Sequence, residues 1–184
     1  MIEASNDPPM LEHVGLNVYD LKSMVGFYSR VMGLHVTDQG QMSRSNADIV
    51  FMSSDPELHH QLVLASGRPE TARPGAINQV SFRVRSLGGL KEVLRRLDRE
   101  GIETLDRMDH GNAWSIYFND PEENVIEVYV KSPWHVPQPC RLELDLEQSD
   151  DEIVAITARR VKDIPGYMLA AEREAEMRKR MGAA

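Results

Sequence analysis

From Leu11 to Val18 apolar and polar residues alternate, with Val14, Leu16 and Val18 on one face and His13, Gly15 and Asn17 on the other. A period of two is that of a half-buried strand. Asp20 then offers a helix cap, and Leu21, Met24, Val25, Tyr28 and Val31 or Met32 recur at helical spacing until Gly33 closes the helix. Short strands are predicted over Leu34–Thr37, Ile49–Ser53 and His60–Ala65, separated by turn-rich segments. The order then returns. An offset of 66 positions lays Leu11, His13, Val14, Leu16, Val18 and Leu21 on Ile77, Gln79, Val80, Phe82, Val84 and Leu87. A repeat of this kind fixes the architecture before any local assignment does.

The second copy has the same elements. Ile77–Val84 alternates with Val80, Phe82 and Val84 inward and Gln79, Ser81 and Arg83 on the other face; Ser86 caps a helix carrying Leu87, Leu90, Val93, Leu94 and Leu97, closed by Gly101. Strands are predicted near Glu103–Leu105, Ala113–Phe118 and Val125–Val130, the last two joined by the turn Asn119–Asn124. Arg68–Pro74, with two prolines, reads as the linker. The fold class expected is α+β: two paired βαβββ modules, about residues 10–66 and 75–132, forming one curved sheet that encloses a cleft. Residues 133–184 form a C-terminal extension. In it Pro133, Pro137 and Pro139 make an extended arm, and Ser149-Asp150-Asp151-Glu152 offers a capping box. Past Pro165-Gly166 a charged helix runs from about Tyr167 to Arg180, its thin apolar stripe suited to a subunit partner or to capping the cleft.

Composition narrows the class. Hydrophobic residues at 41% and charged residues at 27% are ordinary for a globular chain, so no extensive disorder is expected. A net charge of −8 and a pI near 5.3 argue against a nucleic-acid or anionic-membrane surface. Cys140 is the only cysteine, so no internal disulfide forms. With neither a signal-peptide pattern nor an apolar run near the ~20 residues of a membrane span, a cytoplasmic location is expected.

On the last strand of the second module Val125, Glu127 and Tyr129 share one face and Ile126, Val128 and Val130 the other. A carboxylate there is costly to bury unless it is paired, hydrogen-bonded or metal-bound. The repeat puts His13, Gln79 and Glu127 on one concave face, where three N/O donors with open positions would hold a divalent metal and a substrate. The other reading is a buried hydrogen-bond network. His59-His60 opens a strand, His110 lies in a loop and Tyr117 on the strand after it; bordering one cleft, these groups would supply acid and base near neutral pH. Strict alternation would aim His59 and Gln61 into the cleft rather than His60, unless His60 precedes regular pairing. His35 and His135 read as structural or exposed.

Leu11-Glu12-His13-Val14, the strand from Pro74 to Phe82 and Tyr117–Glu127 resemble the vicinal oxygen chelate superfamily, which includes glyoxalase I, fosfomycin and bleomycin resistance proteins and type I extradiol dioxygenases. The resemblance covers about residues 10–132, and its most specific part is the DP-x-x-N-x-x-E ending at Glu127. Glu57–Leu62, with its paired histidines, and His110 with Tyr117 resemble a small one-domain extradiol dioxygenase. That implies residues 1–132 as a single domain, His13 and Glu127 as iron ligands, and His60 as acid/base. It also implies His110 and Tyr117 on the substrate oxygens, Asn112 assisting, and His59 and Tyr129 beside the substrate. Fe(II) is the implied cofactor, with Mn(II) or another divalent ion as the alternative. A small aromatic diol and O2 are the implied partners, with a homodimer as the expected assembly.

One residue departs from that pattern. Gln79 stands where an extradiol enzyme has a second histidine ligand. A neutral amide oxygen is a weaker donor to Fe(II) than imidazole, and glutamine ligands occur in glyoxalase-type sites. Three functions follow: a metal-dependent ring-cleaving dioxygenase, an oxygen-independent lyase, isomerase or epimerase using the metal as Lewis acid, and a small-molecule binding or resistance protein.

Overall fold

The computed structural model describes residues 9–43, 45–73 and 75–181, which divide after Arg73 into two compact units. The first unit is a βαβββ module: β1 (Val14–Val18), α1 (Leu21–Arg30), β2 (His35–Gln41), β3 (Asp48–Ser53) and β4 (Leu62–Ser66). Its sheet has the order β1-β4-β3-β2, with β1 parallel to β4 and the other pairs antiparallel. Asp20 caps α1 by accepting from the Ser23 amide at 2.9 Å. Leu16, Val18, Met24, Phe27, Tyr28, Met52, Leu62 and Leu64 form its core.

The second unit repeats this with β5 (Val80–Arg83), α2 (Leu87–Glu100), β6 (Thr104–Asp109), β7 (Ala113–Asn119) and β8 (Val125–Lys131). Here β5 is parallel to β8, and β10 (Leu142–Glu143) adds an edge strand to give β10-β6-β7-β8-β5. Ser86 caps α2 and Gly101 closes it in the left-handed conformation. The five apolar positions of that helix expected to face inward are all buried. The two βαβββ modules and the C-terminal helices therefore stand as expected, each module with its own sheet in place of one sheet shared by both.

Several boundaries move, for physical reasons. The first strand begins at Val14 rather than Leu11, which is 93% exposed and has no strand to pair with. The fourth begins at Leu62 rather than His60, and β5 at Val80 rather than Ile77, so His60 and Gln79 both sit just ahead of ladder pairing. The second and sixth strands run longer than expected, each through a register shift. Patterning stops at such a shift because the inward face changes parity.

The extension contains β9 (Trp134–His135), β10, α3 (Asp150–Val161), β11 (Met168–Leu169) and α4 (Ala170–Met181). Ser149 and Glu152 close the expected capping box on α3. The last helix starts at Ala170 rather than Tyr167, because Met168 and Leu169 pair with β9 instead, and it buries none of its residues within the chain.

Candidate active site

Two groups of the expected residues come together, one in each unit. In the second unit the β7–β8 hairpin fixes the site. Asp120 Oδ1 accepts from the amides of Glu122 and Asn124 at 2.9 and 3.0 Å, and its Oδ2 accepts from Asn124 Nδ2 at 2.8 Å. These bonds close the turn and set Tyr117 directly opposite Glu127, while the parallel pairing of β5 sets Ser81 beside Glu127 on its other flank. Three neighbouring strands thus present Ser81, Glu127 and Tyr117 in one row. The D-P-x-x-N part of the motif builds the turn, and the glutamate it delivers is the chemical group.

Glu127 is held by three donors. Gln79 Nε2 reaches Oε2 at 2.8 Å, Ser81 Oγ reaches the same oxygen at 2.5 Å, and the Tyr117 hydroxyl donates to Oε1 at 2.5 Å. Among the described residues no Lys or Arg ion-pairs with it. A half-buried carboxylate with hydrogen bonds but no counter-charge suits a cation, and with the Gln79 amide it offers hard donors for a divalent ion. No three His, Cys, Asp or Glu side chains converge among the described residues.

The row continues into His110. Its Nε2 lies 3.0 Å from the Tyr117 hydroxyl and its Nδ1 2.7 Å from the Cys140 carbonyl oxygen. A carbonyl only accepts, so Nδ1 carries a hydrogen and the ring presents Nε2 to the phenol. The phenol has one hydrogen and donates it to Glu127, so its 3.0 Å contact with Nε2 is a hydrogen bond only when that nitrogen carries a hydrogen as well. Burial first, and the Glu127 carboxylate second, push the Tyr117 phenol well above its ordinary range, so it remains a neutral donor around pH 7.

The C-terminal extension grips His110. Gln138 Nε2 donates to the His110 carbonyl at 2.8 Å, and Gln138 Oε1 accepts from the Cys140 amide at 3.0 Å. Behind the ring, the buried Asp109 accepts from the Gly111 amide at 2.8 Å and from Thr157 Oγ1 of α3 at 2.6 Å; Thr157 in turn accepts from Trp114 Nε1 at 2.8 Å. Gly111 has φ +71°, and a Cβ there would lie 2.5 Å from Val136 Cγ2, so the turn beside His110 admits only glycine without displacement. Asn112 and Tyr129 line a neighbouring hollow rather than the Glu127 row.

In the first unit the His13 and His60 rings lie 4.3 Å apart, and His60 also packs on Phe51 of β3 at 5.1 Å. His59 packs on Phe51 as well, at 5.6 Å, with its Nε2 3.9 Å from Asp38 Oδ2 of β2 and its Nδ1 bonded to His60 Nδ1 at 2.8 Å. Gln61 does not reach a ligand face, because its Oε1 accepts from Ser53, Ser54 and the Ser54 amide to close the loop before β4. The alternation that would aim His59 and Gln61 together fails for this reason, since neither is yet in the strand. Desolvation, then the neighbouring His13 and His59, lower the His60 pKa against a smaller opposing effect of Glu12, which favours a neutral imidazole able to take a proton.

Sequence reasoning missed Ser81 and the Asp109–Thr157 pair. Ser81 was open to discovery, being two residues beyond Gln79 on the same face. Nothing marks Thr157, whose partners lie more than forty residues away.

Repeated βαβββ modules with a carboxylate within the last strand of the second module define a class, and the chain belongs to the Glyoxalase/Bleomycin resistance protein/Dioxygenase superfamily, whose family model matches residues 10–128. Within it the chain is 30% identical over 127 residues to biphenyl-2,3-diol 1,2-dioxygenase 3 of Rhodococcus globerulus, covering 66% of this chain and 63% of that protein. It is 27% identical over 129 residues to a probable trivalent organoarsenical cleaving enzyme of Bacillus subtilis, covering 65% of this chain and 80% of that one. Among solved structures, a glyoxylase/bleomycin resistance protein/dioxygenase domain from Frankia superposes with a TM-score of 0.57 at 21% identity. It covers 68% of this chain and 100% of that one, and shares the fold. No helix among the described residues is long and apolar enough to cross a membrane.

Proposed function

We propose that the protein is a metal-dependent extradiol dioxygenase that opens the ring of a catechol-like aromatic diol beside its two hydroxyls. The observation that carries this reading is the row Glu127–Tyr117–His110, with contacts of 2.5 and 3.0 Å. It ties the carboxylate suited to the metal to two groups suited to substrate oxygens. The 30% identity to a biphenyl-2,3-diol dioxygenase supports it.

His13, Gln79 and Glu127 would hold the ion; Fe(II) would supply Lewis acidity to the two vicinal oxygens and redox chemistry with O2, with Mn(II) the next choice. The protein's own groups do the positioning and proton work. His110, its Nδ1 anchored on the Cys140 carbonyl, directs Nε2 at one substrate oxygen, and Tyr117 donates to the developing negative charge as a neutral phenol. Neutral His60 takes the proton that the diol sheds and returns it as the ring opens. Both atoms of O2 enter the ring-opened product. His59 and Tyr129 flank the ring, and Asn112 supports the His110 loop. In this reading the enzyme works in the cytoplasm, in aromatic-compound catabolism, as a homodimer whose second copy covers the α4 helix that its own chain leaves unburied.

Gln79 favours a second reading, an oxygen-independent lyase or isomerase in which a hard ion polarises an enediolate. Comparing turnover of a diol panel with and without O2 separates the two. Oxygen-dependent turnover only with Fe(II) supports the dioxygenase, whereas anaerobic turnover with Mg(II) or Mn(II) overturns it.

A further inference from the structure

One hollow in the second unit borders the diol site, sharing Asn112 and Tyr129 with it, and contains none of the residues assigned to the metal. It has a volume of about 340 Å³ and sits where β8 ends and the extension returns, walled by Asn112, Tyr129, Lys131, Trp134, His135 and Arg173. That is within the ~300–1,000 Å³ of small-molecule pockets. Its chemistry stands apart from the rest of the protein. The chain has 29 Asp and Glu and a net charge of −8, yet none of the described side chains lining this hollow is acidic, while two are cations and one a histidine. The aromatic faces of Tyr129 and Trp134 complete it.

Its position links it to the Glu127 row. Glu127, Tyr129 and Lys131 alternate on one face of β8, so at ~3.3 Å per residue Tyr129 stands about 7 Å and Lys131 about 13 Å beyond the carboxylate. An aromatic ring placed near Glu127 would therefore meet Tyr129 first, and an arm on that ring would run along β8 toward Lys131. Carboxylates on α4 compete for them only in part: Glu176 takes one bond from Arg173 Nη1 at 2.9 Å, and a guanidinium has five donors. Glu174 is held low chiefly by Arg178, with Lys131 the weakest contributor.

We propose that this hollow is an anion subsite that takes the carboxylate of an aromatic ligand between Lys131 and Arg173, against Trp134. Resting on the dioxygenase reading of Glu127, it makes the substrate a diol bearing a carboxylate arm rather than a neutral hydrocarbon diol. The subsite's two cations and Trp134 lie after the family match ends at residue 128, with Trp134 and Arg173 supplied by the extension and Lys131 by the end of β8.

The test is binding of benzoate against benzyl alcohol, the same ring with and without charge, followed by tryptophan fluorescence with chelator present so that no bound ion contributes. The chain has two tryptophans; Trp134 lines the hollow and buried Trp114 packs against Trp134 at 6.3 Å between ring centroids, so the pair reports on the hollow together. Saturable quenching by benzoate about tenfold tighter than by benzyl alcohol, with the preference lost in Arg173→Gln and Lys131→Gln and in high salt, supports the subsite. Equal affinity for the two ligands, or an unchanged preference in both variants, overturns it. Oxygen uptake with catechols is scored separately. Charge-selective binding without uptake with any diol leaves the subsite standing and refutes the reaction; uptake without charge-selective binding does the reverse.

Discussion

Replacing Thr157 with valine keeps the volume of the side chain but removes its hydroxyl. In the native protein that hydroxyl donates to Asp109 at 2.6 Å and accepts from Trp114 Nε1 at 2.8 Å, and all three residues are buried, with Asp109 only 1% exposed. The carboxylate loses a charge-assisted bond, at about 1.5–3 kcal/mol, and the indole N–H is left without an acceptor, at about 1–3 kcal/mol. Arg160, 4.0 Å from Asp109, is too distant to replace the lost donor without moving. The sum is about 2.5–6 kcal/mol, a large part of the roughly 5–15 kcal/mol that holds a domain together. Urea unfolding followed by tryptophan fluorescence measures it as a drop in midpoint at constant slope. A change below about 1 kcal/mol would refute the reasoning, since it would mean that water satisfies both groups and that the interior behind His110 is wet.

Ser81→Ala removes one of three donors to Glu127 and should weaken divalent-metal affinity about tenfold, the lower end for an outer-shell change, as read by Mn(II) or Fe(II) titration; unchanged affinity would show that Ser81 only packs. His60→Ala should lose roughly a hundredfold or more in turnover with diol affinity retained, and full turnover would remove His60 from the mechanism. Cys140 is held protonated by burial first and by the Asp109 carboxylate second. The raised pKa keeps its thiolate scarce at pH 8, so iodoacetamide should modify it more slowly than a free thiol there, the rate climbing only at higher pH; a rate equal to free cysteine at pH 8 would contradict that environment.

Much of the fold is legible in the sequence because each module repeats one pattern of periods. The helix limits follow from Asp20, Ser86, Ser149 and Gly101, which act through local hydrogen bonds and local backbone conformation. Glu127 stands out because a carboxylate interrupts an apolar strand, and Tyr117 faces it because the Asp120 turn fixes the register. The two histidines at 59 and 60 resist such reading. They lie ahead of β4, where alternation has not begun, and Gln61 is diverted into bonds with Ser53 and Ser54 that no period describes. The brace behind His110 is illegible for another reason. Asp109, Thr157, Gln138 and Cys140 meet only after the extension has folded back, and contacts between distant segments leave no spacing signal along the chain.

Oxygen uptake by the Fe(II)-reconstituted protein with a panel of catechols, carboxylated and neutral, measured beside metal content, tests the central claim most directly. Uptake matched one for one by a yellow ring-opened product, with both uptake and bound iron lost in Glu127→Ala, is the predicted result. Full iron occupancy and bound catechol with no oxygen consumed would contradict it.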